Sequence, residues 1–506
     1  MAATRVVEGI WKRDPTVWGG TGGTPELRDR LGWLDIAERF LETHDDLTDF
    51  ADSVRTDCEK VVLCGMGGSS LAPEVFWRTF QGRSDYPTFV MLDSTTPDAV
   101  RQAVHPDEKA LFIISSKSGS TIETTSFLNY FWQFTGQDPS RFVAITDKGS
   151  SLHDLATARK FRRVFDGDPE IGGRFSALSP FGMVPAALIG VDLEAIVAGA
   201  QSAMEDCREP ASVENPGAWL GAVLAEAAMA GRDKLTLVLS PALSSFGLWA
   251  EQLVAEGTGK SHKGVLPVVD TGTASIDSYG NDRLFLSLGV SGDGDPDVEQ
   301  RLLDLGERGH PVLRLSIPNI DDLGGEFYRW EFATAVAGAV LGVNVFNQPS
   351  VGESKTNTRD VLDSSAELSA IDTPSRTQLG QFLTGVKSGD YVAIQAYVAP
   401  SLECDTALAV IARVLQERTG AAVTTGYGPR YLHSTGQYHK GGPPRGHFIQ
   451  IVETPEEDLE IPDADYTFGQ LAKAQALGDA RALIARGRPL LRVPTLARLV
   501  GLVEGR

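Results

Sequence analysis

The chain has 506 residues and a formal charge of −21, with 42% hydrophobic and 22% charged residues, a globular composition with room for two or three domains. So acidic a chain lacks the basic footprint that nucleic acids or anionic membranes require, which excludes both as expected partners. Cys58, Cys64, Cys207 and Cys404 have no metal or redox spacing and read as reduced thiols in a cytoplasmic protein.

Residues 1–50 read as an N-terminal helical segment whose opening, "MAATRVVEGIWKRDPTVW", has no apolar core of signal-peptide length. From Lys60 the pattern becomes strand, loop, helix. "KVVLC" is a buried strand followed by the loop "GMGGSS" and the helical "APEVFWRTF"; "TFVML", "ALFIIS" and "RFVAIT" are further strands. Apolar runs alternating with helices predict a parallel sheet covered on both faces, here over residues 51–205. A second cycle over 206–374 uses the strands "KLTLVLS", "RLFLSLGV" and "VLRLSI" and closes on the helix "EFYRWEFATAVAGAVLG", whose apolar part is too short to span a bilayer. A polar stretch, Thr356 to Thr377, leads to a smaller module over 375–506, read as α+β. The fold class is therefore α/β: two doubly wound parallel-sheet domains plus this module.

Between "ALFIIS" and the next helix, residues Ser115 to Thr125 carry seven hydroxyl side chains, with Lys117 among them. Ligands of open parallel sheets bind beyond the carboxyl ends of strands, and helix N-termini favour anions. The donors of Ser116, Lys117, Ser118, Ser120 and Thr121 thus fit one phosphate monoester, although such turns more often simply cap a helix. There is no GxxxxGK[ST] loop, and "GMGGSS" is not a full GxGxxG fingerprint.

"GMGGSSLAPE" and "SSKSGSTIET" resemble the paired loops of sugar-isomerase (SIS) domains, and specifically those of the phosphoglucose isomerase family. "GGRFSALSPFG", "EQLVAEGTGKSHKGVLP" and "LGVNVFNQPSVGESK" resemble three further family segments in the same order. Outside them, "IWKRDPTVW" and "GYGPRYLHSTGQYHKGG" resemble the isomerase half of fused transaldolase–phosphoglucose isomerases. The resemblance implies an aldose–ketose isomerase interconverting glucose 6-phosphate and fructose 6-phosphate, a step of glycolysis and gluconeogenesis, with no metal or organic cofactor and a homodimeric assembly. It implies Glu256 as the base that moves a proton between C1 and C2 through a cis-enediol, work that suits a carboxylate. Arg174 would stabilise the enediolate and Lys355 would assist ring opening. Gly68, Ser69, Ser116, Lys117, Ser118, Thr121 and Gln252 would bind the substrate.

The family also uses a ring-opening histidine soon after the glutamate, where this chain reads "ASIDSYGND" with Asp277. An imidazole exchanges protons near neutral pH and an aspartate ordinarily does not. His433 in "LHSTGQYHKGG" is the expected substitute, from the same chain or a neighbouring one, with His439 and His310 as competitors. Glycine in "SKSGST" and "AEGTGK" is expected to widen the sugar pocket and to admit a second epimer such as mannose 6-phosphate. A non-catalytic sugar-phosphate sensor is the alternative from another class. It would keep the phosphate loops without needing Glu256, Arg174 and Lys355 together.

Overall fold

A computed structural model describes the chain except residues 1, 22, 25, 41–43, 82, 211–212, 364–370 and 506, and except the side chains of 2–4, 44, 351, 354 and 355. Three sheets organise it, and every strand pairing within them is parallel. The first has the order β2-β1-β3-β4-β5, from β1 (Lys60–Gly65), β2 (Thr88–Leu92), β3 (Ala110–Ser115), β4 (Phe142–Asp147) and β5 (Arg163–Gly167). The second has the order β7-β6-β8-β9, from β6 (Lys234–Leu239), β7 (Leu266–Val269), β8 (Arg283–Val290) and β9 (Val312–Ile317). The third has the order β11-β10-β12-β13, from β10 (Tyr391–Tyr397), β11 (Ala422–Tyr427), β12 (Gly446–Val452) and β13 (Leu490–Val493).

The third sheet corrects an expectation. The module is α/β, because the helix Leu402–Thr419 carries the chain from β10 to a parallel β11 and Phe468–Ala485 does the same between β12 and β13. Part of the polar stretch expected as a linker is also helical, within Pro349–Asp363. Near the N-terminus, the helix His44–Asp57 runs through residue 50.

Helices Leu193–Asp206, Pro216–Met229 and Leu323–Leu341 pack so closely that a Cβ on Gly221 would lie 2.2 Å from the Ala333 carbonyl oxygen. One apolar core runs through them from Val61 and Leu63 of β1 to Leu235 and Leu237 of β6, so the first two sheets are fused. The N-terminal segment is bound into it: Trp18 Nε1 donates to the Ala335 carbonyl at 2.9 Å and Trp11 Nε1 to that of Cys207 at 2.9 Å. The third sheet has its own core around Val392, Ile394, Leu415 and Leu499.

In the first sheet the chain leaves β1 towards β2 and returns across it to β3, making a topological switch point between β1 and β3. Gly65 and Ser115, the last residues of these strands, lie side by side in the ladder. Both hydroxyl-rich loops therefore start at one crevice. Among the described helices none is long and apolar enough to cross a membrane.

Candidate active site

The first loop turns tightly after β1. Gly67 has φ +57°, and a Cβ there would lie 2.8 Å from both Gln252 Nε2 and the His433 carbonyl oxygen. A Cβ on Gly68 would lie 1.9 Å from the Gly173 carbonyl oxygen, so only glycine lets this loop meet the segment carrying Arg174. The second loop leads into helix Ile122–Phe134, and its hydroxyls are not spent on capping. Thr121 holds the N-cap position without a side-chain cap hydrogen bond, and its Oγ1 lies 3.0 Å from Ser116 Oγ. Ser70, N-cap of Leu71–Phe80, likewise makes no side-chain cap bond.

Lys117 is less free than the sequence suggests. Its Nζ sits 2.6 Å from Asp147 Oδ2 and donates to the Asp168 carbonyl at 2.9 Å. Burial lowers its pKa against the opposing effect of Asp147, so its charge is already shared. Arg30, from the N-terminal segment, lines the same pocket, as do Glu26 and Asp147.

Glu256 lies near the end of the helix that follows β6. Over Gln252–Glu256 that helix widens into one π-helical turn, a distortion frequent at functional sites. The Glu256 carboxylate is 3% exposed; Oε1 pairs with Arg174 Nη2 at 3.2 Å and Oε2 accepts from Gln252 Nε2 at 3.2 Å. Arg174, 4% exposed, is held by the carbonyls of Val345 and Asn347 and by Gln348 Oε1. Behind them, buried Lys260 donates to the carbonyls of Gly257 and Asn344, each at 2.7 Å. Burial, then the charge of Arg174, pushes its pKa well below the ordinary lysine value.

His433 reaches this pocket from the third-sheet module of the same chain. Its Nε2 lies 2.8 Å from Glu123 Oε1, and its carbonyl accepts from Gln252 Nε2 at 2.8 Å. Gln252 thus spans the glutamate and the histidine segment. Gln437 fastens the same segment, donating to the Gly259 carbonyl at 3.0 Å and accepting from Ser350 N at 3.0 Å.

Gly68, Ser69, Ser116, Lys117, Ser118, Thr121, Arg174, Gln252, Glu256 and His433 all line one cavity of about 320 Å³. The two competing histidines do not. His439 is buried against Tyr391, its Nδ1 3.0 Å from the phenol, and burial drives its pKa down to about 3. His310 packs on Phe285 and Tyr279 at the second sheet, while Asp277 lies at the surface beside Arg308. Lys355 belongs to helix Pro349–Asp363, but its side chain lies outside the described residues. Among the described residues no three His, Cys, Asp or Glu side chains form a metal site.

The two departing glycines are packed against the protein and do not face the pocket. Gly119 has φ +68°, and a Cβ there would lie 2.7 Å from Leu152 N. The segment after Glu256 is packed rather than pliable: Cβ atoms on Gly257 and Gly259 would lie 2.8 Å from Thr334 Cγ2 and 2.5 Å from Tyr438 Cα. Neither glycine lines the cavity. Sequence reasoning passed over Glu123, Asp147, Arg30, Gln348 and Lys260. Glu123 lay inside the quoted "STIET", one helical turn past the hydroxyls, and its signal was available; Arg30 carried none.

Chemically this is an α/β site suited to a small phosphorylated substrate, with hydroxyl donors at one end and a buried carboxylate–guanidinium pair with a nearby imidazole at the other. The phosphoglucose isomerase family model matches residues 35–282. A probable glucose-6-phosphate isomerase of Methanococcus maripaludis is 27% identical over 386 residues, covering 67% of this chain and 86% of the relative. A glucose-6-phosphate isomerase of Staphylococcus saprophyticus is 29% identical over 395 residues, covering 68% and 88%. The fold is similar to that of the Chlamydia trachomatis glucose-6-phosphate isomerase, with a TM-score of 0.59 at 21% identity over 76% of this chain and 88% of that one. Over residues 35–282, just under half of the chain, the sequence is similar to the phosphoglucose isomerase family.

Proposed function

We propose that the protein interconverts glucose 6-phosphate and fructose 6-phosphate. The observation carrying this reading is the buried Glu256–Arg174 pair, placed across one cavity from the Ser116–Thr121 loop. The phosphate sits among Ser69, Ser116, Ser118 and Thr121, with Lys117 sharing its charge between the phosphate and Asp147. His433, held by Glu123, moves the proton that opens the sugar ring, and Lys355 assists at the ring oxygen. Glu256 then takes the proton from C2 and returns it to C1, and the reverse in the other direction. Arg174 faces the enediolate oxygen, where a fixed cation stabilises charge that develops only during reaction. A sensor would have no use for a desolvated base beside a guanidinium. A homodimeric assembly and a cytoplasmic location, the latter supported by four free cysteines, belong to the same proposal.

The test is turnover of fructose 6-phosphate in chelator-treated buffer. Wild type should be active, and Glu256→Gln, which keeps shape and removes the base, should lose about 10²–10⁴-fold in kcat. Undiminished kcat in the variant would remove Glu256 from the chemistry. Binding without turnover in the wild type would favour the sensor. Mannose 6-phosphate belongs in the same assay as the competing epimer.

A further inference from the structure

Beside the reacting groups lies a second cavity, of about 520 Å³, lined by helices Leu71–Phe80 and Phe246–Glu251, strands β10 and β11, and helix Leu402–Thr419. Leu248, Leu408 and Val423 make part of its wall apolar. Three polar side chains there stand without partners. Gln395 is 1% exposed, and neither its Oε1 nor its Nε2 is hydrogen-bonded; Ser245 is 4% exposed with its Oγ unbonded. The Glu251 carboxyl, on the same wall, makes no side-chain hydrogen bond among the described residues. A buried amide left unpaired forfeits its hydration without compensation, so this is an unusual place to keep a glutamine.

The charges at the rim are already matched. Arg430 gives Nε and Nη2 to Asp93 at 2.7 and 2.9 Å and Nη2 also to Glu74 at 2.8 Å, while Arg78 pairs with Glu74 at 2.7 Å. Among the described residues no free cation lines this cavity for a phosphate. Burial, opposed by Arg430, raises the Glu251 carboxyl to about 8, so at neutral pH it both donates and accepts. Amide, hydroxyl and neutral acid share that dual character, and so does a ligand hydroxyl.

We propose that this cavity binds a small uncharged polyhydroxylic molecule, an unphosphorylated sugar or polyol, and that its occupancy tunes the active site. The coupling follows from shared walls. Glu251 immediately precedes the π-helical turn bearing Glu256, and Arg430 and Tyr431 belong to the Arg430–His433 turn bearing His433. Gln252 bridges those two segments, so a ligand wedged between them changes how Glu256 and His433 are held.

The experiment is calorimetric titration of the full chain at pH 7 with myo-inositol, sorbitol and D-glucose, each with and without saturating fructose 6-phosphate. At least one probe should bind one-to-one with the sugar phosphate present, and should change kcat/KM about twofold or more in the wild type. Gln395→Leu, which removes the unpaired amide, should weaken that binding by about tenfold while leaving kcat/KM without polyol within about twofold. Ser245→Ala should weaken it by a few-fold and serves if Gln395→Leu fails to fold, as judged by circular dichroism and melting. No binding of any probe, binding displaced by fructose 6-phosphate, or wild-type binding in both variants would overturn the site. Binding without any change in kcat/KM would overturn the coupling.

Discussion

His433 and Glu123 are 310 positions apart in the chain and 2.8 Å apart in space, which makes the pair the sharpest residue-level test of the site. If the carboxylate holds the imidazole for ring opening, His433→Ala and Glu123→Ala should each lower kcat by about 10²-fold. The double variant should lose little more than either single one, because groups acting as a unit are not additive. Full additivity in a double-mutant cycle would separate them. His439, six positions further on in the helix Gly436–Gly441, has a different consequence. Its folded pKa, about 3, lies below the ordinary 6.5 because it is buried, with Lys440 and Arg488 adding to the effect and Tyr391 on its Nδ1. Between those values the unfolded chain binds the extra proton, so this contribution to stability is present above about pH 6.5 and is lost as the pH falls towards 3. In urea titrations His439→Phe should flatten the acid limb by up to about 1.4 kcal/mol per pH unit.

At the scale of elements, the site depends on close approach of loops more than on any one side chain. The Gly68–Gly173 contact brings the β1 loop against the Arg174 segment, and the π-helical turn sets Gln252 and Glu256 side by side. Gly68→Ala forces a methyl onto a carbonyl oxygen, so it should cost about 1–3 kcal/mol and raise KM by about tenfold or more. Thermal melting and steady-state kinetics read both effects; an unchanged KM would mean the loop relaxes freely. Strand reading from sequence found the interior strands of the first two sheets and the edges β2 and β9, and missed β5, β7 and β13, which are also sheet edges. An edge strand buries less of itself, so "RVFDG" and "LLRV" lack a continuous apolar run, and β7 carries Pro267, tolerated only where no neighbour needs its N–H. The third module was misread as α+β for a related reason: its parallel order rests on crossovers that no single strand records.

For the whole molecule, the third sheet's module lines the candidate site. It supplies His433, and Gln437 ties it to both the Glu256 and Ser350 segments within one chain. Co-expressed or co-refolded mixtures of Glu256→Gln and His433→Ala should therefore recover no activity. A site shared between subunits would regain about a quarter of wild-type turnover in a randomly mixed dimer, because one of its two sites would be intact. The assay thus decides between one chain and two.

The amino-acid order alone carried the parallel α/β class, the two hydroxyl loops at strand ends and the five family segments, because these are local patterns of periodicity and short motifs. It also pointed to Glu256, Arg174 and Gln252. The tertiary structure decided what depends on distant chain meeting in space: that His433 lines the pocket, that Lys117 already faces Asp147, and that Gly119 and Gly257 serve packing. The physical reason is range. Periodicity and capping act over a few residues, whereas the partner of a buried charge is set by which helices and sheets share a core, and here those partners lie tens to hundreds of positions away.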